Sequence, residues 1–196
     1  MANTDGTATA NERDAAALTA LIAALGGRDR KARQSSAHMV AQVAKAAPAA
    51  VVPFADEVAA AVGRPEAQTR WEALDALTSV AAVDPEAASK GFEGAEDCLY
   101  DEESGLVRLT AFRYFAALGS SSPSWSAKAW PLIDEAVQCY HGDPEFDDML
   151  DALYAFAQSD LDEGVRAALA ERMSFDARNG RGSVAVRARQ IVEALR

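Results

Sequence analysis

The sequence predicts an all-α protein in which about five helix pairs stack into a right-handed α–α superhelix, an α-solenoid. The first supporting observation is composition, because 49% of the 196 residues are hydrophobic, only 7% are aromatic and alanine is abundant, which favours closely packed helices. The second is a repeat, in which an arginine recurs at intervals of 37 and 38 residues and a proline follows each arginine 15 residues later. The arginines are Arg33, Arg70 and Arg108, and the prolines are Pro48, Pro85 and Pro123.

Two weaker copies extend the repeat toward the C-terminus. Met149 and Arg187 occupy the next arginine positions, at spacings of 41 and 38 residues, within MLDALYAF and RARQIVEAL. An acidic or hydroxyl residue stands four residues before each position, and these residues are Asp29, Glu66, Ser104, Glu145 and Ser183. Because such side chains cap a helix or complement the positive end of its dipole, each unit is predicted to begin a helix there.

The predicted core face of these helices lies three, four and seven residues after the arginine position, where the side chains are small or apolar. In the first four units these residues are Ser36, Ala37, Val40, Ala73, Leu74, Leu77, Ala111, Phe112, Phe115, Ala152, Leu153 and Phe156. Another amphipathic segment precedes each such helix, so every unit is predicted to hold two helices. Pro53, Gly91 and Pro131 recur inside the preceding segments and should kink them at equivalent places.

The two ends of the chain are less regular than the middle. Residues 1–10 are polar, so we expect a disordered tail there, followed by a single folded domain over residues 11–196. The first helix is predicted to start with Asn11 as its cap and to stop at Gly26 and Gly27. The stretch MSFDARNGRGS is longer than a repeat turn, and we expect the last unit to pack differently or to act as a cap.

These motifs resemble those of HEAT repeats, which belong to the armadillo-type helical repeats. The first helix of a HEAT repeat is kinked by a proline, as in VPF at 52–54 and WPL at 130–132, and an acidic, proline-rich turn follows it, as in GRPE and HGDPE. The second helix then reaches V-R-x-x-A, as in VRLTA at 107–111 and TRWEA at 69–73. The resemblance implies that the second helices line a concave face, which commonly binds a partner.

Charge is unevenly distributed along the chain, whose formal net charge is −11. Residues 1–92 carry a net −2, residues 93–163 a net −13 and residues 164–196 a net +4. An acidic surface repels phosphate backbones and attracts cations, so we expect a protein partner with a basic surface rather than a nucleic acid. The lack of a long apolar run and the presence of only two cysteines lead us to expect a cytoplasmic protein without a membrane segment.

Residues two, five and nine positions after the arginine position should point away from the core and line the concave face. The candidate binding residues on and beside this face are Trp71, Glu72, Asp75, Arg113, Asp151 and Tyr154. They predict an acidic groove with an aromatic edge, suited to a non-catalytic adaptor, scaffold or inhibitor that binds another protein. Two simpler interpretations stay open, namely that these positions are ordinary solvated surface and that Trp71 is a half-buried packing residue.

No catalytic signature is present in the sequence, which lacks G-x-S-x-G, G-x-x-x-x-G-K-[ST] and H-E-x-x-H and has no cysteine or histidine pair at zinc spacing. We therefore expect no cofactor and no metal, and we interpret GDPEFDD at 142–148 as a helix start. As an alternative, Trp71 and Asp75 are similar to part of the pattern of HEAT-type DNA alkylation-repair glycosylases, and the basic ends of the chain would suit a nucleic-acid accessory module. The acidic segment 93–163 argues against a duplex across the groove, because cationic side chains supply most of the affinity for DNA.

Overall fold

The computed structural model describes residues 4–196, with side chains from residue 12 onward. Within this range the chain forms helices and turns without a strand, and its α-helical segments make five consecutive helix pairs. The first pair is α1 (Thr4–Leu25) and α2 (Arg30–Ala46). In the second pair a broken first helix, α3 (Pro48–Val51) and α4 (Ala55–Val62), precedes α5 (Ala67–Ala81).

The remaining three pairs repeat this plan. The third consists of α6 (Pro85–Ala88) and α7 (Phe92–Leu99), followed by α8 (Gly105–Gly119). The fourth consists of α9 (Pro123–Cys139) and α10 (Phe146–Ala157), and the fifth of α11 (Glu163–Asn179) and α12 (Gly182–Ala194). The predicted all-α stack of helix pairs is confirmed, and the pairs are called units 1 to 5 below, each with a first and a second helix.

The first helix is longer than the sequence predicted. Because α1 begins at Thr4, Asn11 lies within the helix rather than at its cap, and residues 4–10 have a helical backbone instead of forming a disordered tail. Residues 1–3, which complete the predicted tail, lie outside the described residues. At its other end α1 stops at Leu25, directly before Gly26 and Gly27, as predicted.

The predicted kinks in the first helices have two different outcomes. Short 3-10 segments at Val52–Phe54 and Ser89–Gly91 break the first helices of units 2 and 3, as the recurring proline and glycine predict. Gly91 also allows close packing, because a Cβ at this position would overlap the side chain of Leu77 on α5. Pro131 lies inside α9, which continues through it as a single helix.

The predicted core positions are confirmed with one exception. All of them are buried apart from Ala152, which is partly exposed. Three aromatic side chains of the first helices and their turns pack against this core with part of their surface exposed, and these are Trp125, Trp130 and Tyr140. The aromatic residues of units 3 and 4 therefore serve mainly to fill the space between the helices.

The repeating arginine connects each unit to the next. Arg33 of unit 1 donates from Nε to Glu66 Oε2 of unit 2 at 3.2 Å, and from Nη1 to the carbonyl of Gly27 at 2.9 Å. Both side chains of the pair are buried. The hydrogen bond from Arg33 holds the pKa of the Glu66 carboxyl below its usual value, against the opposing effect of burial.

The same connection recurs between later units. Arg108 of unit 3 donates from Nε to Glu145 Oε1 of unit 4 at 3.0 Å, and from Nη1 to the carbonyl of Asp101 at 2.8 Å. Arg70 of unit 2 donates from Nη2 to Asp101 Oδ2 of unit 3 at 2.5 Å. The arginine period in the sequence is therefore a period of inter-unit ion pairs.

The residues predicted to cap the second helices have three different outcomes. Asp29 and Ser104 are confirmed as caps, because each accepts a hydrogen bond from a backbone N–H in the first turn. Glu66 and Glu145 stand at the expected cap positions, but their carboxylates bind the arginines of the preceding unit instead of the helix backbone. Ser183 lies inside the first turn of α12 rather than at its cap.

Neighbouring second helices pack against each other more extensively than neighbouring first helices do. This difference is expected when the second helices line the inner side of a curved stack. No helix within the described part of the chain is long and apolar enough to span a membrane.

Candidate binding surface

The solvent-facing side of α2, α5, α8, α10 and α12 is called the second-helix face below. The six residues that the sequence nominated for binding belong to α5, α8 and α10, but the structure does not place all of them on this face. Trp71 and Glu72 on α5 are packed against other residues, and Asp75 on α5 is paired with α2. Arg113 lies on α8, and Asp151 and Tyr154 lie on α10. The face therefore has two distinct parts, one in units 1 and 2 and one in units 3 to 5.

Glu72 was predicted to line the groove, and this is wrong. Its side chain is only 2% exposed, and its Oε1 lies 2.8 Å from Nδ1 of His38 on α2. Because α5 is packed between α2 and α8, the flank of the helix that a single-helix pattern leaves in solvent is covered by a neighbour. Thr110 on α8 is buried for the same reason.

The other two candidates in unit 2 are also engaged within the protein. The Asp75 carboxylate lies 2.6 Å from Nζ of Lys45 on α2. Trp71 is half-buried and packs against the core, which confirms its interpretation as a packing residue.

Units 3 to 5 present the more accessible part of the face. Arg113 on α8 donates from Nη2 to Asp148 Oδ1 on α10 at 3.3 Å. Asp151 on α10 forms an ion pair with Arg187 on α12. The side chains of Asp148 and Asp151 are each 58% exposed, so both carboxylates retain open positions for further hydrogen bonds.

Tyr154 forms the aromatic wall of this region. The guanidinium carbon of Arg187 lies 5.1 Å from the centroid of the tyrosine ring, which is a cation–π distance. Gln158 donates from Nε2 to the tyrosine hydroxyl at 3.3 Å. The ring is partly buried against the core, with Arg187 over its face and Gln158 at its hydroxyl.

A cleft of about 520 Å³ separates α10 from α12 at this place. Three aspartates and four residues of α12 line it, and these are Asp147, Asp148, Asp151, Ser183, Val186, Arg187 and Gln190. Ser183 donates to Asp147 Oδ2 at 2.8 Å, and Val186 is half exposed. This acidic cleft, as we call it below, has an apolar wall that could contact the aliphatic part of a lysine or arginine.

Sequence reasoning missed Asp147 and Asp148. Both belong to the string GDPEFDD, which was interpreted as a helix start, and the structure confirms that α10 begins at Phe146. The signal that would have found them is their position in the first turn of a second helix, one and two residues before Met149. The first turn of a second helix faces the same cleft as the position two residues after the arginine.

Most of the unpaired acidic charge lies elsewhere. Several exposed acidic residues on α7 and in the turns before α8 and α10 form no ion pair with another described residue. They are Glu93, Glu96, Asp97, Glu102, Glu103 and Asp143. The net −13 of residues 93–163 is therefore only partly located on the second-helix face. Among the described residues, no group of three or more His, Cys, Asp or Glu side chains is arranged to hold a metal ion.

No protein-family model matches this sequence, and a search of curated proteins finds no significant relative. Solved structures do match. The designed armadillo repeat protein YIII(Dq.V1)4CPAF in complex with peptide (KR)4 has a TM-score of 0.76 and 16% identity, over 93% of this chain and 83% of that chain. Computationally designed armadillo repeat proteins for modular peptide recognition give a TM-score of 0.72 and 15% identity, over 92% of this chain and 83% of that chain.

A third similar structure is an engineered protein with a TM-score of 0.68 and 18% identity, over 93% of this chain and 80% of that chain. At these identities the likeness establishes the fold. The chain has an armadillo/HEAT-type helical repeat fold, as the resemblance of its sequence motifs implied.

Proposed function

We propose that this protein is a non-catalytic repeat scaffold whose second-helix face binds an extended basic segment of another protein. The acidic cleft between α10 and α12 is the centre of the proposed contact. The observation that carries the proposal is the pair of exposed carboxylates, Asp148 and Asp151, with the ring of Tyr154 nearby on the same helix. Together they offer a lysine or arginine both charge and a π surface.

The internal partners of these carboxylates can be replaced at low cost. Asp148 is paired with Arg113 and Asp151 with Arg187, and each pair is open to solvent on at least one side. Exposed ion pairs contribute about 0–1 kcal/mol, so an incoming guanidinium or ammonium group loses little by displacing the resident arginine. A bound peptide would add backbone and apolar contacts that the resident arginines do not make.

The structural comparisons support the class of ligand. One matching structure is described as a designed armadillo repeat protein in complex with peptide (KR)4, and another as designed for modular peptide recognition. An extended basic peptide can therefore be held by a stack of this architecture. The net charge of −11 would also accelerate the encounter with such a peptide at low salt.

Fluorescence polarisation with a fluorescein-labelled (KR)4 peptide tests the proposal. The variant Asp147→Asn/Asp148→Asn/Asp151→Asn removes the three carboxylates of the cleft. We expect its affinity to fall by about tenfold or more, since each exposed ion pair that is lost contributes up to about 1 kcal/mol.

The matched control is Glu102→Gln/Glu103→Gln/Asp143→Asn, which removes the same charge from exposed turn residues without a described ion pair. This control should weaken binding far less than the cleft variant. An equal loss in both variants would show that the peptide senses net charge alone and would refute the proposed site.

A further inference from the structure

Unit 5, formed by α11 and α12, has the opposite net charge to residues 1–163. Residues 164–196 contain seven arginines, no lysine and three acids, whereas residues 1–163 carry a net −15. Arg178, Arg189 and Arg196 line a cleft of about 450 Å³ between the two helices. None of the three forms an ion pair within the described part of the chain, although Arg178 donates to Ser174 Oγ at 3.3 Å.

The repeat register shows that Arg189 and Ser174 stand where unit 4 has acids. In unit 4, Asp134 on α9 binds Arg172 of unit 5, with Nε to Oδ1 at 2.6 Å, and Asp151 binds Arg187 of unit 5. Because α9 and α11 are both 17 residues long, Ser174 on α11 occupies the position of Asp134. On the second helices, Arg189 follows Arg187 by the same two residues that separate Asp151 from Met149.

Unit 5 therefore lacks the two carboxylates that accept the arginines of a following unit. Another unit of the same kind would bring an arginine against Arg189, where like charges repel. Stacking a second copy of the chain end to end is also disfavoured, since its first unit carries Arg28, Arg30 and Lys31, all exposed. The basic surface of unit 5 therefore does not suit another repeat unit of the same kind or a second copy of the chain. It suits a partner of opposite charge.

The lining of this cleft fits an acidic polypeptide. Arginine presents a planar fork of donors that binds a carboxylate with two parallel hydrogen bonds. Ala177 and Val192 also line the cleft and offer contact to an aliphatic side chain. Glu193 is the one acidic residue of the lining, so three arginines there face a single carboxylate. A nucleic acid fits less well, because a duplex carries one charge per about 1.7 Å of its axis and would extend from this small basic end over the acidic remainder.

We propose that the α11–α12 end binds a short acidic segment of another polypeptide, in which carboxylates alternate with aliphatic side chains. The site is separate from the acidic cleft on the second-helix face and of opposite charge. The protein would then join two partners, or two segments of one partner, through clefts of different chemistry.

The test uses a short fluorescein-labelled peptide of alternating glutamate and leucine, titrated with the full chain by fluorescence polarisation. The variant Arg178→Gln/Arg189→Gln/Arg196→Gln should bind it about tenfold or more weakly than the wild type, because three charge-assisted contacts are removed. Arg28→Gln/Arg30→Gln/Lys31→Gln is the matched control, with the same change of net charge at exposed positions of unit 1. This control should bind the peptide with nearly wild-type affinity.

Four outcomes would overturn the proposal. The first is an absence of peptide binding by the wild type, and the second is an equal loss of affinity in the two triple variants. The third is a preference for a fluorescein-labelled DNA duplex over the peptide at the same salt concentration. The fourth is self-association of the wild type that the Arg178/Arg189/Arg196 variant abolishes. If the triple variant loses its helical circular dichroism signal, the peptide affinity of the single variant Arg189→Gln is compared with that of the wild type instead.

The binding of (KR)4 provides the independent control. All three arginine variants should retain it, since none of their positions lies in the acidic cleft. A failure of (KR)4 to bind would refute the proposed function and leave the result with the acidic peptide standing.

Discussion

Arg33 of unit 1 and Glu66 of unit 2, 33 residues apart in the sequence, form a buried ion pair that connects two successive helix pairs. The same arginine donates to the carbonyl of Gly27 in the turn that precedes its own helix. One side chain thus fixes both the turn within a unit and the spacing to the next unit. The arrangement recurs with Arg108 and Glu145 two units further on.

This pair predicts a pH dependence of stability. The pKa of Glu66 is lower in the folded protein than in the unfolded chain, chiefly through the hydrogen bond from Arg33. The pair therefore stabilises the fold above the unfolded pKa of glutamate, about 4.3, and this contribution is lost as the pH falls through the lower folded value. Urea unfolding at a series of acidic pH values should show a steeper loss of stability in the wild type than in Glu66→Gln.

The control for this measurement is Glu102→Gln, which changes an exposed turn residue. Its acid dependence should match that of the wild type. If Glu66→Gln and Glu102→Gln gave parallel curves, the pair would have no linkage to protonation and its role in stacking would need revision.

The core of unit 3 predicts a large loss of stability on truncation. Phe112 is completely buried between helices, and Phe112→Ala should lower the free energy of unfolding by about 3–5 kcal/mol, because lost transfer energy and a residual cavity add. Leu106→Ala on the same helix removes a side chain that is 46% exposed and should change it by less than about 1 kcal/mol. Chemical denaturation measures both, and similar values for the two variants would show that the faces of α8 are misassigned.

The two cysteines are expected to differ in reactivity. Burial raises the pKa of the Cys98 thiol to about 11, whereas Cys139 is exposed at the end of α9. Since the thiolate is the reactive species, a disulfide reagent such as Ellman's should modify Cys139 in the native protein and Cys98 only on unfolding. Equal rates for both thiols under native conditions would contradict the packing of α7 against its neighbours.

The resident arginine of the acidic cleft predicts a gain of affinity. Arg187 forms an ion pair with Asp151 and a cation–π contact with the ring of Tyr154. The variant Arg187→Ala should therefore free both groups for a basic ligand. We expect (KR)4 to bind this variant more tightly by up to about fivefold, the equivalent of one exposed ion pair. Arg189→Ala, two residues further along α12, removes the same charge from a residue without a described ion pair. It should produce a smaller gain of affinity for (KR)4.

The sequence predicted the stack well because its signal is periodic. Arginine and proline at fixed spacing marked every helix pair of the first three units, and the proline positions coincide with the starts of α3, α6 and α9. The pattern within one unit did not reveal that the arginine forms an ion pair, because its partner lies in the next unit. Glu66 was accordingly expected to cap its own helix, and it binds Arg33 instead.

The binding residues were predicted less well, for a related reason. A helical periodicity separates the side that faces the core from the opposite side, but it does not show which flanks adjoin the neighbouring helices. Glu72 stands on such a flank and is covered by α2. Asp151 lies on α10, where α10 and α12 leave an open cleft, and its side chain is accessible there. Tyr154 on the same helix is partly buried against the core.

The binding of a basic peptide by the second-helix face is tested most directly by ¹H–¹⁵N correlation spectra of the labelled protein during titration with (KR)4. We expect the shifted amides to cluster in two stretches. The first is residues 147–158, in α10 and at its C-terminal end, and the second is residues 183–190 of α12. Shifts confined to the unpaired acids of α7 and the turns, residues 93–103 and 143, would contradict it.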